Sequence, residues 1–299
     1  MDAAAPQRNI LKPLPALARA LTFALRPQAD PRAALERLRL LHEPPSGIVG
    51  FGEPLVRALG SAVDGLRTFP ALSGAGVAVH STQHALWVQL HGDDRGMLFD
   101  REIAVLAALD DAFFLDDAID LFRYRVSAER IGRDLSGYED GTENPKAEAA
   151  TAAAIAVGGS GRGGSSFVAV QRWVHDLARF RRFKPKERDD MMGRNLESNE
   201  ELDDAPESAH VKRAAQESYD PEAFMVRRSM PWAKAHTQGL EFVAYGESLD
   251  RYERVLHRML GLDDGIVDGL FTFSRPVSGS YYWCPPVARE RLDLRLLGL

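Results

Sequence analysis

The chain has 299 residues, 45% of them hydrophobic, enough to bury a sizeable core as one large domain or two medium ones. A net charge of −6 and a pI near 5.8 exclude a general nucleic-acid binder, which carries a basic balance or a basic patch. No apolar run reaches the roughly 18 residues that cross a bilayer, and a single cysteine, Cys284, excludes internal disulfides and suits a reducing, cytoplasmic compartment.

Ala16 to Leu25 reads as a first strand, because Arg19 interrupts its apolar run and Pro13 and Pro15 precede it, which argues against an export signal. Asp30 suits a helix N-cap and Pro31 the first helical position; that helix runs to about Leu41 and stops at Pro44-Pro45. Leu86 to Leu90 is the next clear strand, ending at His91-Gly92, followed by a helix from Phe99 to Asp111 and a strand from Ile119 to Tyr124. Lys146 to Ser166 is Ala-rich and then Gly-rich, through Gly158, Gly159, Ser160, Gly161, Gly163 and Gly164. It lacks the Lys-Ser/Thr of a phosphate loop and reads as a linker or hairpin loop. The second half runs through a strand from Ser166 to Val170, a helix near Pro185 to Asn195 and a strand from Leu240 to Tyr245 that ends at Gly246. A helix from Leu249 follows, with apolar positions Tyr252, Val255, Leu256 and Met259, and then a strand from Gly269 to Ser274. Cys284, within YYWCPP, reads as a buried, inert thiol.

The two series match at an offset of about 150 residues. Each half reads strand, helix, strand, strand, helix, strand, which folds as an antiparallel sheet with helices on one face. The fold class is therefore α+β, a duplication divided into residues 1–148 and 149–299.

Gly137 to Pro145, GYEDGTENP, sets adjacent carboxylates Glu139 and Asp140 between glycines and closes with Asn144-Pro145. Taken alone it is compatible with a surface turn rich in solvated acids. Of the eight histidines, His80, His84 and His91 lie on or beside strands, His175 and His257 fall in helix-like or apolar patterns, and His42 and His236 are in loops. None shows zinc-ligand spacing. His210 follows the acidic segment Glu197 to Glu207 and precedes Val211-Lys212-Arg213; one histidine suffices to hold a haem iron, although an exposed loop position is the ordinary reading. Arg227 and Arg228 are neighbours on a strand-like run and so point to opposite faces, one free to face a pocket.

GYEDGTENP resembles the GxxDG signature of the dye-decolourising (DyP-type) haem peroxidases. ESAHVKRAAQ resembles the segment that carries their proximal histidine, and MVRRSMPWA resembles their distal-arginine strand. The resemblance covers nearly the whole chain and is closest to the B-type group. It implies two ferredoxin-like halves of the dimeric α+β barrel type, one haem b per chain, and His210 as the axial iron ligand. Asp140 and Arg227 would then act over the other haem face, with Gly141, Thr142 and Ser229 as neighbouring cofactor contacts. Asp268, in GIVDGLFTF, is similar in position to the acidic partner of the proximal histidine.

By the same resemblance the activity is reduction of hydrogen peroxide through a ferryl haem, with one-electron oxidation of organic donors such as dyes, phenolics or porphyrinogens. Asp140 would shuttle the proton while Arg227 favours its ionisation, and Glu139 would be left to solvent. A homo-oligomer is expected and no nucleic acid or membrane partner. Some relatives are packed into encapsulin shells by a C-terminal tail; no such tail is legible after the last strand. The competing readings are a haem carrier or iron-releasing protein, which needs no proton shuttle, and a haem-free α+β binding module.

Overall fold

The computed structural model describes residues 4–41, 47–74, 76–126, 132–159 and 161–299. His42, the Pro44-Pro45 stop and Ser160 lie outside the described residues. The first half contains β1 (Leu17–Leu25), α1 (Arg32–Leu41), β2 (Gly47–Phe51), α2 (Glu53–Ala58), a small hairpin of β3 (Leu72–Gly74) and β4 (Val77–Val79), β5 (Leu86–Gly92), α3 (Arg95–Leu109) and β6 (Phe113–Phe122). The second contains α4 (Ala147–Ala154), β7 (Ser166–His175), α5 (Leu177–Arg182), α6 (Pro185–Met192), α7 (His210–Arg213), β8 (Val226–Arg227), β9 (Met230–Lys234), β10 (Thr237–Gly246), α8 (Asp250–Met259), β11 (Ser274–Pro276) and β12 (Ser280–Cys284).

Within the first half the strands lie in the order β6-β1-β5-β2, and within the second β12-β7-β10-β9. Counted along each half, both orders are fourth, first, third, second: the same antiparallel ferredoxin-like sheet built twice. The halves join edge to edge at two seams, Leu121 opposite Trp232 between β6 and β9, and Trp283 opposite Phe51 between β12 and β2. The pairing of β7 with β10 completes the closure, so every one of these strands has a neighbour on both sides.

Period-two alternation sorts the strands into two faces. Leu86, Val88, Phe167, Ala169, Tyr281 and Trp283 pack with Leu35 and Leu38 of α1, Val105 and Leu109 of α3, and Tyr252 and Leu256 of α8. Trp87, Val168, Val170, Val243, Tyr245 and Tyr282 form a separate cluster with Ala150, Ala153 and Ala154 of α4. Cys284 belongs to this cluster and is fully buried, which pushes its thiol well above the ordinary range.

Three sequence expectations are corrected. The strand expected from Ile119 to Tyr124 is β6, which starts at Phe113 and ends at Phe122, pairing along its whole length with β1. The Ala-rich part of the expected linker is helix α4; alanine is the strongest helix former, and this helix buries Ala150, Ala153 and Ala154. The expected strand from Gly269 to Ser274 is a 3₁₀ turn, Gly269–Thr272, with β11 beginning at Ser274. The Asp268 carboxylate accepts from the Leu270 amide and closes this turn. No helix among the described residues is long and apolar enough to cross a membrane.

Candidate active site

The outward face of β7 and β10, helix α8 and three loop-borne segments enclose a cavity of about 220 Å³, against the ~10–15 Å³ that one water requires. Leu240, Phe242, Val255, Leu256 and Met259 supply an apolar wall. The polar groups converge from elsewhere: Asp140, Gly141 and Thr142 from the GYEDGTENP loop, His210 from the start of α7, and Arg227 from β8.

The loop is held by its backbone and by Arg133. The Asp140 amide donates to Gly132 O at 3.0 Å, and Gly141 takes φ +82°, a conformation that suits glycine. Arg133 donates to Gly137 O at 2.7 Å and to Glu139 Oε1 at 3.2 Å. Glu139, expected in solvent, is therefore corrected: its side chain is only 10% exposed and is paired with a cation. Asn144 then bolts the loop to β8. Its Nδ2 donates to Arg227 O at 2.9 Å and its Oδ1 accepts from Arg227 N at 2.7 Å. The sequence offered Asn144 only as part of an Asn-Pro stop; its carboxamide fixes Asp140 and Arg227 in one frame.

Burial raises the Asp140 carboxyl above its ordinary value; Arg227 opposes this and the charge of Asp134 adds to it. Arg227 thus favours ionisation, as expected, without overcoming burial. Its Nε is buried and has no hydrogen-bond partner among the described residues. For Asp134, burial acts upward, but the charge and hydrogen bond of His175, helped by Ser136, hold the carboxyl at about 2. His175 Nε2 lies 3.0 Å from Asp134 Oδ1, and both residues line the cavity. Neither residue carried a sequence signal, because only the fold brings them together.

His210 Nδ1 lies 2.8 Å from Asp268 Oδ2, and Asp268 is fully buried at its side chain. A carboxylate accepts from Nδ1–H and leaves Nε2 as the lone-pair nitrogen of a ring that lines the cavity. Burial acts to lower the His210 pKa, but the Asp268 charge and hydrogen bond outweigh it and leave it raised. Gly193, at φ +82°, ends α6 directly against this segment: a Cβ there would meet Val211 Cγ2 at 2.3 Å. Ser229, two residues beyond Arg227, is buried; its Oγ accepts from the Val243 amide at 3.4 Å, and it is not among the cavity-lining residues.

A family profile described as "Dyp-type peroxidase, C-terminal" matches residues 132–289. The dye-decolorizing peroxidase of Mycobacterium tuberculosis is 29% identical over 230 residues, 74% of this chain and 67% of that protein. That of Mycolicibacterium paratuberculosis is 28% identical over 229 residues, 74% of this chain and 63% of that protein. The matches thus span about two thirds of those relatives' length. Among solved structures, the dye-decolorizing protein from V. cholerae superposes with a TM-score of 0.83 at 25% identity, covering 97% of this chain and 98% of that one. A Rhodococcus jostii RHA1 DypB variant in complex with heme gives 0.83 at 26%, covering 95% and 97%.

Proposed function

This chain belongs to the Dyp-type peroxidase family, a family of haem peroxidases, and we propose that it reduces hydrogen peroxide and oxidises organic donors such as dyes, phenolics or porphyrinogens in one-electron steps. Its cofactor is haem b, and the cavity fits that group in three respects. It offers an apolar wall for the porphyrin, an imidazole whose second nitrogen is already hydrogen-bonded, and an Arg227 Nε that is buried without a hydrogen-bond partner among the described residues. Bound haem supplies the iron at which peroxide takes up two electrons.

The residues divide the rest of the work. His210 is proposed as the iron ligand through Nε2, with Asp268 fixing the ring's tautomer and strengthening it as a donor. Gly141 and Thr142 are proposed wall contacts for the porphyrin, whereas Ser229 is left out because it lies off the cavity. Asp140 takes the proton from one peroxide oxygen and delivers it to the other before the O–O bond breaks. Its raised proton affinity brings it nearer neutrality, where a carboxylate is a better base. Arg227, always cationic, stabilises the negative charge that develops on the departing oxygen. Residues 1–148 would contribute the Asp140 loop and residues 149–299 His210, Arg227 and Asp268. Assembly into a homo-oligomer and a cytoplasmic location belong to the same proposal; the buried lone cysteine is compatible with the latter.

One observation carries the reading: Asn144 locks an acid and a cation together on the cavity that also holds His210. A haem carrier has no use for such a pair. The test is rapid mixing of haem-loaded protein with peroxide. Arg227→Ala should still bind haem but react roughly 10²–10³-fold more slowly, the usual cost of removing a charge-stabilising donor. An unchanged rate would reject the role given to Arg227.

A further inference from the structure

Of the described residues that line the cavity, Tyr138, Trp173 and Tyr252 carry readily oxidised rings. A phenol or indole that loses an electron becomes a strong acid, so its oxidation is easiest where a base stands within hydrogen-bond reach. The surroundings separate the three. Trp173 Nε1 is buried and has no hydrogen-bond partner among the described residues. The Tyr252 hydroxyl donates to Gln171 Oε1, an amide oxygen that does not take up a proton. The Tyr138 hydroxyl donates to Asp189 Oδ1, a carboxylate.

Tyr138 lies two residues from Asp140 and is 4% exposed. Its ring meets Phe180 edge-on at 6.4 Å, and Phe180 packs on Phe273 at 4.2 Å, so the phenol is held in an apolar cluster. Burial and then the bond to Asp189 push the phenol well above its ordinary range, so it keeps its proton until it is oxidised. Asp189 sits on α6, is partly exposed, and also accepts from the Leu196 amide at 3.2 Å. The pair thus spans from the cavity wall to the α6 surface.

We propose that Tyr138 relays electrons from donors at the α6 surface to the haem. The inference rests on the peroxidase reading above. Tyr138 gives one electron to the peroxide-oxidised haem while its O–H bond breaks and the proton passes to Asp189, leaving a neutral tyrosyl. An organic donor too large for the cavity then returns one electron, and Asp189 returns the proton.

The test uses haem-loaded protein containing deuterated tyrosine, mixed with one equivalent of peroxide, frozen rapidly and examined by electron paramagnetic resonance. A tyrosyl signal should form in the unaltered protein and in Tyr252→Phe, and fall at least tenfold in Tyr138→Phe. Asp189→Asn should slow its rise, because an amide cannot take the proton. An equal tyrosyl signal in Tyr138→Phe would overturn the relay. So would the absence of any tyrosyl in unaltered protein whose Soret band responds to peroxide. A Soret band that peroxide leaves unaltered would overturn the peroxidase reading itself, and the relay with it.

Discussion

Asp268 divides its two oxygens between two tasks: Oδ1 accepts from the Leu270 amide and Oδ2 faces His210 Nδ1, each at 2.8 Å. The backbone bond fixes the carboxylate, and the carboxylate fixes the imidazole. If His210 is the axial ligand, as proposed, Asp268→Asn should retain haem but weaken that ligand, with a loss of roughly 10–100-fold in affinity or activity. Resonance Raman would show a lower iron–histidine stretching frequency; an unshifted band would contradict the pairing. The pH dependence expected of Asp140 follows from its surroundings. Its carboxyl is raised, so the basic form is lost as pH falls through that raised value. Replacing Arg227 by Leu removes the largest of the influences that oppose burial, so the acid limb of the peroxide reaction should move to higher pH. A limb that stays or moves down in a stopped-flow pH series would contradict it. At this scale the sequence exposed the reactive types, Asp140, His210 and Arg227, because they sit in recognisable motifs. It concealed Asn144, Glu139, Asp134 and His175, whose roles are set by partners brought close only by the fold.

The elements show the same division between local and distant causes. Helix α8 was legible from spacing alone: Tyr252, Val255, Leu256 and Met259 are its buried face. The stretch Gly269–Thr272 was misread as strand because its apolar and aromatic residues carry that preference, whereas the Asp268 cap and the bond from the Gly269 amide to Ser208 O impose a turn. Helix α4 was misread as linker because its alanines adjoin a glycine run, although alanine itself favours helix. The end of α6 gives an element-scale test. Gly193→Ala would force a side chain into the left-handed region and drive its Cβ onto Val211, beside His210. It should cost about 1–2 kcal/mol from backbone alone and loosen His210, the proposed iron ligand. Urea unfolding and the rate of haem transfer to an acceptor apoprotein measure the two effects; an unchanged transfer rate would show that α6 does not brace His210.

At the scale of the molecule, two like sheets are welded into one ring, and ion pairs between the halves reinforce the weld. Arg67 reaches Asp250 and Glu253 of α8 at 2.7 and 2.8 Å, Arg172 pairs with Asp117 across the sheet, and a hydrogen-bond contact of 3.0 Å joins Asp134 Oδ1 to His175 Nε2 beside the cavity. The last is buried and carries a pH signature. The Asp134 carboxyl is held at about 2 against an ordinary 3.8. A depressed acid adds stability above its unfolded value and loses it as pH falls toward the folded one. Asp134→Asn should therefore lower stability at neutral pH by about 2 kcal/mol, and the difference from the unaltered protein should close between about pH 4 and pH 2. A difference that persists at pH 2 would assign the loss to packing instead. The duplicated order of elements was legible in the sequence; the closure was not, since the seams rest on single residue pairs between distant strands. The proposed function places haem on His210 and peroxide under Asp140 and Arg227 in one cavity. An absorption spectrum of the purified protein, loaded with one equivalent of haem and then mixed with one equivalent of peroxide, tests it most directly. A Soret band should form with the unaltered protein, shift on mixing, and lose its histidine-ligated character in His210→Ala. A histidine-ligated spectrum in His210→Ala, or a Soret band indifferent to peroxide in the unaltered protein, would contradict it.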